Sequence, residues 1–219
     1  MESAFGVDVI DRSRRSRPGE RTDPEKVDST DLREVELLAQ ARDGNTRAYS
    51  QLVEVHQDRI YGLIFRMVRE QTLAEELTQD VFIKAFRNLS SFRGDARFST
   101  WVYRIAVNVC HDQRGSAAAR NRAKETSLDS PEMSQVDFPA QRSRPDEAME
   151  TAEVAAGFED SLVSLEPMYR EAFLLRHEED LNYGEIAQIL GITLSNAKVR
   201  VHRAREMVLE ALRSRGFDV

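Results

Sequence analysis

Apolar residues recur at intervals of three and four through most of this chain, and that spacing favours helices throughout. The clearest run comprises Tyr49, Leu52, Val53, His56, Ile60, Leu63, Ile64 and Met67. Residues at this spacing lie on one face of a helix, which must pack against a partner. No segment keeps the alternation of a β-strand for more than a few residues. The pattern therefore predicts an all-α fold.

The helical pattern stops and restarts, which divides the chain into four parts. Residues 1–30 are polar and arginine-rich and are predicted to form a disordered tail. Residues 31–115 carry four helical segments and predict a small N-terminal four-helix domain. Residues 116–148 are rich in serine, proline and charge, which predicts a flexible linker. Residues 149–219 return to the helical pattern and predict a second small domain.

Local signals set the expected helix ends in the first domain. The apolar period of the first helix begins at Asp31 and stops at Asp43-Gly44, after the run Leu32, Val35, Leu38, Ala39 and Arg42. Asn45 is expected to cap the second helix, because its short polar side chain can accept hydrogen bonds from free backbone N–H groups. The fourth helix is expected to start after Ser99 or Thr100 for the same reason.

Charge is unevenly distributed along the chain. The formal net charge of −7 argues against a simple DNA-binding protein. However, residues 93–124 contain seven Lys or Arg against two Asp or Glu, and residues 196–215 contain six against two. Two basic segments on an acidic chain indicate local contacts with a polyanion, with acidic surface left for another partner.

The expected location is the cytoplasm. The single cysteine, Cys110, cannot form an internal disulfide, which fits a reducing compartment. The arginines among residues 1–30 have no apolar core behind them, so a signal peptide is not expected. No apolar run approaches the length of about 18 residues that spans a bilayer, so membrane insertion is not expected either.

The segment from Leu181 to Glu206 predicts a helix-turn-helix domain. Asn182 is expected to cap a short helix, Gly191 to supply the turn and Ser195 to cap a second helix. Four small residues of the second helix form its expected buried stripe: Ala197, Val201, Ala204 and Val208. The opposite, mostly basic face is predicted to contact duplex DNA through Ser195, Asn196, Lys198, Val199, Arg200, His202, Arg203 and Arg205. The alternative is an amphipathic helix with a solvated basic face.

A second cluster interleaves aromatic and basic residues at the start of the fourth helix. Its members are Phe92, Arg93, Asp95, Arg97, Phe98, Trp101, Tyr103 and Arg104. Aromatic rings stack on unpaired bases while arginines hold phosphates, which indicates a single-stranded DNA site. A loop of this kind can also accept a base turned out of the duplex. The alternative is that Phe98 and Trp101 are ordinary core residues.

The third helix carries a polar face of Glu75, Glu76, Gln79, Asp80 and Lys84. This face is either a solvated surface or a docking surface for a basic partner. Only the context separates the two, and the residues alone favour a solvated surface. Catalysis, a metal and a cofactor are not expected. Cys110 and His111 are adjacent rather than spaced for zinc, and Glu76 and Asp80 lack the third ligand of a metal nuclease.

Three segments, in this order, resemble those of the extracytoplasmic-function (ECF, group 4) RNA polymerase sigma factors. Ala74–Phe86 resembles their helix that binds core polymerase, and Ser90–Asn108 resembles their strand-opening and −10 segment. The helix-turn-helix resembles their −35 reader. The resemblance covers about residues 31–115 and 150–213, and implies a promoter-recognition factor that is stress- or signal-responsive and is not an enzyme.

The resemblance also implies partners. The N-terminal domain, sigma region 2, would bind the clamp of the largest polymerase subunit through Glu75, Glu76, Gln79 and Asp80. Residues 92–98 would capture a −10 base of the non-template strand, and Asn108 would touch the upstream end of that element. The C-terminal domain, sigma region 4, would read the −35 duplex beside the flap of the second subunit. An anti-sigma factor is the implied regulator.

Two alternatives come from other classes of protein. A free-standing helix-turn-helix regulator would need only residues 160–213 for DNA binding, and would use the N-terminal bundle to sense a ligand or to dimerise. An enzyme acting on nucleic acid is the second alternative. A regulator would not need the aromatic and basic cluster beside an acidic helix, and no heptad run for a dimer is evident.

Overall fold

The computed structural model describes the backbone of residues 29–124 and 145–217, and the side chains of residues 32–117 and 154–217. Within these residues the regular secondary structure consists of α-helices and one short 3-10 turn, and no β-strand is present. The predicted all-α fold is confirmed. The described residues form two compact units, divided between positions 124 and 145. None of the described helices is long and apolar enough to cross a membrane. Residues 1–28 and 125–144, which include most of the predicted tail and linker, lie outside the described residues.

The N-terminal unit is built from four helices and one 3-10 turn. They are α1 (Ser29–Arg42), α2 (Thr46–Val68), α3 (Gln71–Arg87), the 3-10 turn (Leu89–Ser91) and α4 (Phe98–Lys124). Asn45 caps α2 as predicted, because its side chain accepts from the backbone N–H groups of Arg47 and Ala48 at 3.1 and 3.2 Å. The predicted four-helix domain is confirmed.

The core of this unit lies where α2 packs against α3 and α4. Leu52, Ile60 and Ile64 of α2 are at most 1 % exposed, as their spacing predicts. The hydroxyl of Tyr49 donates to the carbonyl of Phe82 at 2.6 Å and so ties α2 to α3. Burial raises the pKa of Tyr49 to about 12, so this hydrogen-bond donor keeps its proton at any physiological pH.

The buried face of α1 differs from expectation. In α1 the inward residues are Leu37, Leu38 and Ala41, whereas Leu32 and Val35 are 60 % and 65 % exposed. The helix carries apolar residues on both sides, so periodicity alone could not select the buried one.

The limits of α4 were also predicted wrongly. The helix begins at Phe98 rather than after Ser99 or Thr100, and it continues to Lys124. The predicted linker start at residue 116 therefore falls inside a helix. Residues 116–124 are mainly alanine and arginine, which have high intrinsic helix propensity and need no apolar stripe to extend a helix.

The C-terminal unit contains the remaining described helices, α5 (Pro145–Ser164), α6 (Pro167–His177), α7 (Tyr183–Leu190) and α8 (Leu194–Ser214). Buried Phe173, Leu174 and Leu175 of α6 form its centre. Helix α6 packs against α8, and α7 packs against both. Helix α5 starts four residues before the predicted domain boundary, at a proline whose fixed φ suits the first helical turn.

Candidate nucleic-acid interface

The helix-turn-helix predicted from the sequence is present as α7, a tight turn and α8. Asn182 accepts from the backbone N–H groups of Gly184 and Glu185, and the Glu185 side chain accepts in return from the Asn182 N–H at 2.9 Å. This reciprocal arrangement satisfies donors that would otherwise be free at the start of α7. Gly191 ends α7 with φ +64°, a left-handed conformation that glycine adopts without strain.

The cap of α8 differs from the prediction. Thr193, not Ser195, is the N-cap, and its hydroxyl accepts from the backbone N–H of Asn196 at 3.2 Å. Ser195 lies two residues further along, inside the first turn of α8. Both residues can cap a helix, so sequence chemistry did not distinguish them. The exposed side chain of Ser195 remains on the outer surface.

The predicted buried stripe of α8 is confirmed. Ala197, Val201, Ala204 and Val208 are at most 3 % exposed. Because these small residues are buried and α8 packs against α5, α6 and α7, the opposite face of α8 is directed outward. Ser195, Asn196, Lys198, Val199, His202 and Arg203 are exposed on that side, and Arg200 is half-buried.

Several outward side chains of α8 are held by neighbours. The Arg200 Nε donates to the Asn196 Oδ1 at 3.3 Å, and His202 Nε2 lies 3.2 Å from the Glu206 carboxylate. These partners belong to α8 itself. Arg203 instead reaches another helix, because its Nη1 donates to the hydroxyl of Tyr169 in α6 at 3.4 Å. No pattern in the sequence indicated Tyr169, which lies 34 positions away in the chain.

Arg205 differs from the other predicted DNA contacts because it is partly enclosed. Its Nε atom is buried and has no hydrogen-bond partner within the described residues. It lies close enough to His177 to affect that ring electrostatically. The pKa of His177 is lowered to about 4, first by burial and then by the charges of Arg176 and Arg205. His177 is therefore neutral near pH 7.

The aromatic cluster is only partly available to DNA. Phe92, Phe98 and Tyr103 are buried at 7 %, 1 % and 3 % exposure. Phe98 packs against the rings of Phe92 and His56, at centroid distances of 5.9 and 5.4 Å. In this structure these three rings therefore lie in the core and expose little surface on which bases could stack. They fill the core beneath the loop because a large apolar side chain gains more from burial than from exposure.

The remaining members of the cluster face outward. Arg93, Asp95 and Arg97 are exposed on the loop, where Arg93 Nε lies 3.1 Å from the Asp95 carboxylate. Gly94, with φ +82°, makes the turn between them. Trp101 is half-buried, with its ring 5.2 Å from Phe92, and exposed Arg104 and Asn108 follow it along α4.

Residues spaced three, four and seven apart lie on one helix face. Trp101, Arg104 and Asn108 therefore form a single outward stripe of α4, which we call the α4 stripe. It combines a ring edge, a cation and an amide on one surface.

The polar face of α3 is exposed as well. Glu75, Glu76, Gln79 and Asp80 all face solvent, and Ile83 and Phe86 on the same helix are 47 % and 43 % exposed. Acidic groups beside exposed apolar side chains are more typical of a protein-docking surface than of a purely solvated face. The two apolar residues were not selected from the sequence as part of this surface.

Comparisons with known proteins agree with this geometry. The profile of Sigma-70 region 2 matches residues 52–120, and that of Sigma-70, region 4 matches residues 157–208. The RNA polymerase sigma-H factor of Pseudomonas aeruginosa is 32 % identical over 84 % of this chain and 95 % of its own length. The ECF RNA polymerase sigma factor SigW of Bacillus subtilis is 30 % identical over 80 % and 95 %.

A solved structure shares the fold. The structure of CnrH in complex with the cytosolic domain of CnrY matches with a TM-score of 0.59 and 25 % identity, over 83 % of this chain and 98 % of that chain. Two helical regions that match sigma-70 profiles define a transcription initiation factor. With these relatives, the chain belongs to the ECF family of RNA polymerase sigma factors. This family membership sets aside the free-standing regulator and the nucleic-acid enzyme.

Proposed function

We propose that α8 reads the −35 duplex in the major groove. The observation that carries this proposal is the division of α8 into a buried stripe of alanine and valine and an outward face that carries Lys198, His202 and Arg203. An α-helix fits the major groove, and arginine or lysine can bridge the acceptors of guanine there. Half-buried Arg200 and Arg205 lie nearer the phosphates.

We propose that the α4 stripe and the loop before it contact the separated −10 strand. The half-buried ring of Trp101 offers aromatic surface on which an unpaired base can stack, and Arg104 and Asn108 continue that surface along the helix. Arg93 and Arg97 flank the same loop and can hold phosphates. The buried rings of Phe92, Phe98 and Tyr103 support this surface from below.

We propose that the α3 face docks on the clamp of the largest polymerase subunit. Glu75, Glu76, Gln79 and Asp80 supply negative charge and hydrogen-bond acceptors for a basic partner, and Ile83 and Phe86 supply apolar area. The flap of the second subunit is the proposed partner of the C-terminal domain. Because a chain that acts with the polymerase works where the polymerase is, the proposed location is the cytoplasm.

An anti-sigma factor is the proposed regulator. CnrH, whose fold this chain shares, is described in complex with the cytosolic domain of another protein. A regulator that covers the α3 face would exclude the polymerase clamp. A screen for proteins that silence a reporter driven by this chain, followed by competition against core polymerase in vitro, tests this regulation. A silencing protein that leaves core binding intact would contradict the competition.

Run-off transcription tests the proposed function as a whole. The purified chain is mixed with bacterial core polymerase and a pool of genomic promoter fragments, and transcripts are sequenced. We expect start sites that require both the chain and the core, preceded by common −35 and −10 elements. The absence of chain-dependent transcripts from every fragment would overturn the proposal.

A further inference from the structure

We propose that Tyr169 is a positioning residue that orients Arg203 for reading of the −35 duplex. This inference rests on the proposed role of α8. The observation that carries it is the hydrogen bond between the Arg203 Nη1 and the Tyr169 hydroxyl, at 3.4 Å, which joins α8 to α6.

The backbone around Tyr169 is fixed by the corner between α5 and α6. Pro167 occupies the first turn of α6, where its restricted φ suits a helix start. Arg170 then donates to the carbonyls of Leu162, Val163 and Leu165 at 2.8, 2.5 and 3.1 Å. These bonds join the start of α6 to the end of α5. Tyr169, immediately before Arg170, therefore extends from a rigid platform.

The side chain of Tyr169 suits a positioning role. It is half-buried, and its hydroxyl lies at the surface beside Arg203. A tyrosine has only two side-chain torsions, so little conformational freedom is lost when it is ordered. The hydroxyl accepts one hydrogen bond from a guanidinium that carries five N–H donors, which leaves four donors for DNA.

Arg203 needs such a partner more than its neighbours do. Its side chain is long and exposed on the outward face of α8, and an unrestrained arginine must lose rotamer freedom when it binds. Arg200 and His202 contact residues one turn away on α8, so their partners move with them. Tyr169 belongs to a different helix and holds Arg203 relative to the whole domain. A partial restraint before binding strengthens recognition by reducing the entropy lost on binding.

A double-mutant cycle on the holoenzyme tests the inference. The chain, Tyr169→Phe, Arg203→Ala and the double variant are each assembled with bacterial core polymerase. Binding is measured to a duplex that the unaltered holoenzyme selects from a randomised pool, and to the same duplex with its −35 half scrambled. Tyr183→Phe, which removes a hydroxyl elsewhere in the domain, is the matched control.

We expect Arg203→Ala to weaken binding to the selected duplex roughly tenfold. Tyr169→Phe should weaken it roughly three- to tenfold, because an unrestrained Arg203 side chain loses more conformational freedom on binding. The central expectation is that Tyr169→Phe has no further effect in the Arg203→Ala background. Tyr169→Phe should leave three quantities unchanged: binding to the scrambled duplex, binding to core and the melting temperature. If Tyr169 mattered only for folding, these quantities would change as well.

Three results would overturn the inference, and they have different meanings. Full affinity of Tyr169→Phe for the selected duplex would show that the hydroxyl does not position Arg203. Additive losses in the double variant would show that Tyr169 acts independently of Arg203. Full affinity of Arg203→Ala itself would overturn the proposed −35 contact, and the positioning role with it.

Discussion

The ring of Phe217 packs directly onto Gly157 and leaves no room for a side chain there. A Cβ atom built on Gly157 would lie 2.5 Å from Cε2 of Phe217. Arg215 holds the same terminal segment to α5, because its Nη1 donates to the Gly157 carbonyl at 3.2 Å and lies 3.0 Å from the Asp160 carboxylate. The end of α8 and the residues after it are thus bound to the surface of α5.

This contact predicts that Gly157→Ala has opposite effects on stability in the presence and in the absence of the Phe217 ring. Gly157→Ala should destabilise the C-terminal domain by about 1 kcal/mol, because overpacking at roughly 1–3 kcal/mol outweighs a helix-propensity gain of about 1 kcal/mol. In a Phe217→Ala background the clash is absent, so Gly157→Ala should stabilise the domain by about 1 kcal/mol. Hydrogen exchange on α5 and α8 peptides measures both changes. Stabilisation in both backgrounds would mean that the terminal segment yields without cost.

The C-terminal domain should lose stability in mild acid because of His177. Its folded pKa of about 4 lies below the ordinary value of 6.5. Below about pH 6.5 the unfolded chain therefore binds a proton that the folded chain does not bind until about pH 4. The contribution of neutral His177 to the folding stability is therefore complete above pH 6.5 and is lost as pH falls towards 4.

The loss should be on the order of 2 kcal/mol, a value already reduced for solvent screening of a partly exposed ring. Hydrogen exchange of α6 peptides at pH 7.5 and pH 4.5, corrected for intrinsic exchange rates, gives the stability change of the unaltered chain. His177→Gln should show a smaller change over the same interval. Equal changes for both chains would mean that another group causes the acid sensitivity.

Reversal of charge on the α3 face should weaken binding to core polymerase. Asp80→Arg places a cation where the proposed partner is basic, and like charges at an interface oppose association. We expect an affinity loss of at least about tenfold, measured by biolayer interferometry with immobilised core. Asp58→Arg makes the same change at an exposed position of α2 and should bind normally. Equal affinity of Asp80→Arg and the unaltered chain would refute the docking assignment.

Replacement by alanine should affect mainly stability at Phe98 and mainly promoter opening at Trp101. Phe98 is 1 % exposed, so its loss should destabilise the N-terminal domain by about 3–5 kcal/mol. Trp101 is half-buried on the α4 stripe, so Trp101→Ala should cost less stability but reduce promoter opening. Calorimetry measures the first effect and permanganate reactivity of promoter thymines the second. Normal thymine reactivity with Trp101→Ala would remove the ring from the proposed −10 surface.

Local chemistry predicted the helix-turn-helix better than any other part of the molecule. Asn182 and Gly191 act on backbone within a few residues of themselves, so their roles as cap and turn can be derived without knowledge of the fold. The same holds for the stripe of α8, because a helical period of four small residues has only one plausible buried side. The choice of Thr193 over Ser195 shows the limit of this reasoning at a helix end.

Features that depend on packing between distant residues were not accessible from the sequence. The sequence left Phe98 open as either a DNA-stacking or a core residue, and its burial and its packing against His56 and Phe92 show that it belongs to the core. Tyr169 has no sequence relation to Arg203. The second apolar side of α1, with Leu32 and Val35, could not be separated from the buried one by period alone.

The position of Trp101 also gives this protein a built-in optical probe. The chain has one tryptophan, and its indole packs against the rings of Phe92 and Phe98 beneath the proposed −10 surface. Selective excitation of that indole follows unfolding of this unit alone, while the tyrosines of the C-terminal unit remain silent. The folding of the N-terminal unit can therefore be followed by itself in the intact chain, without labels or truncation.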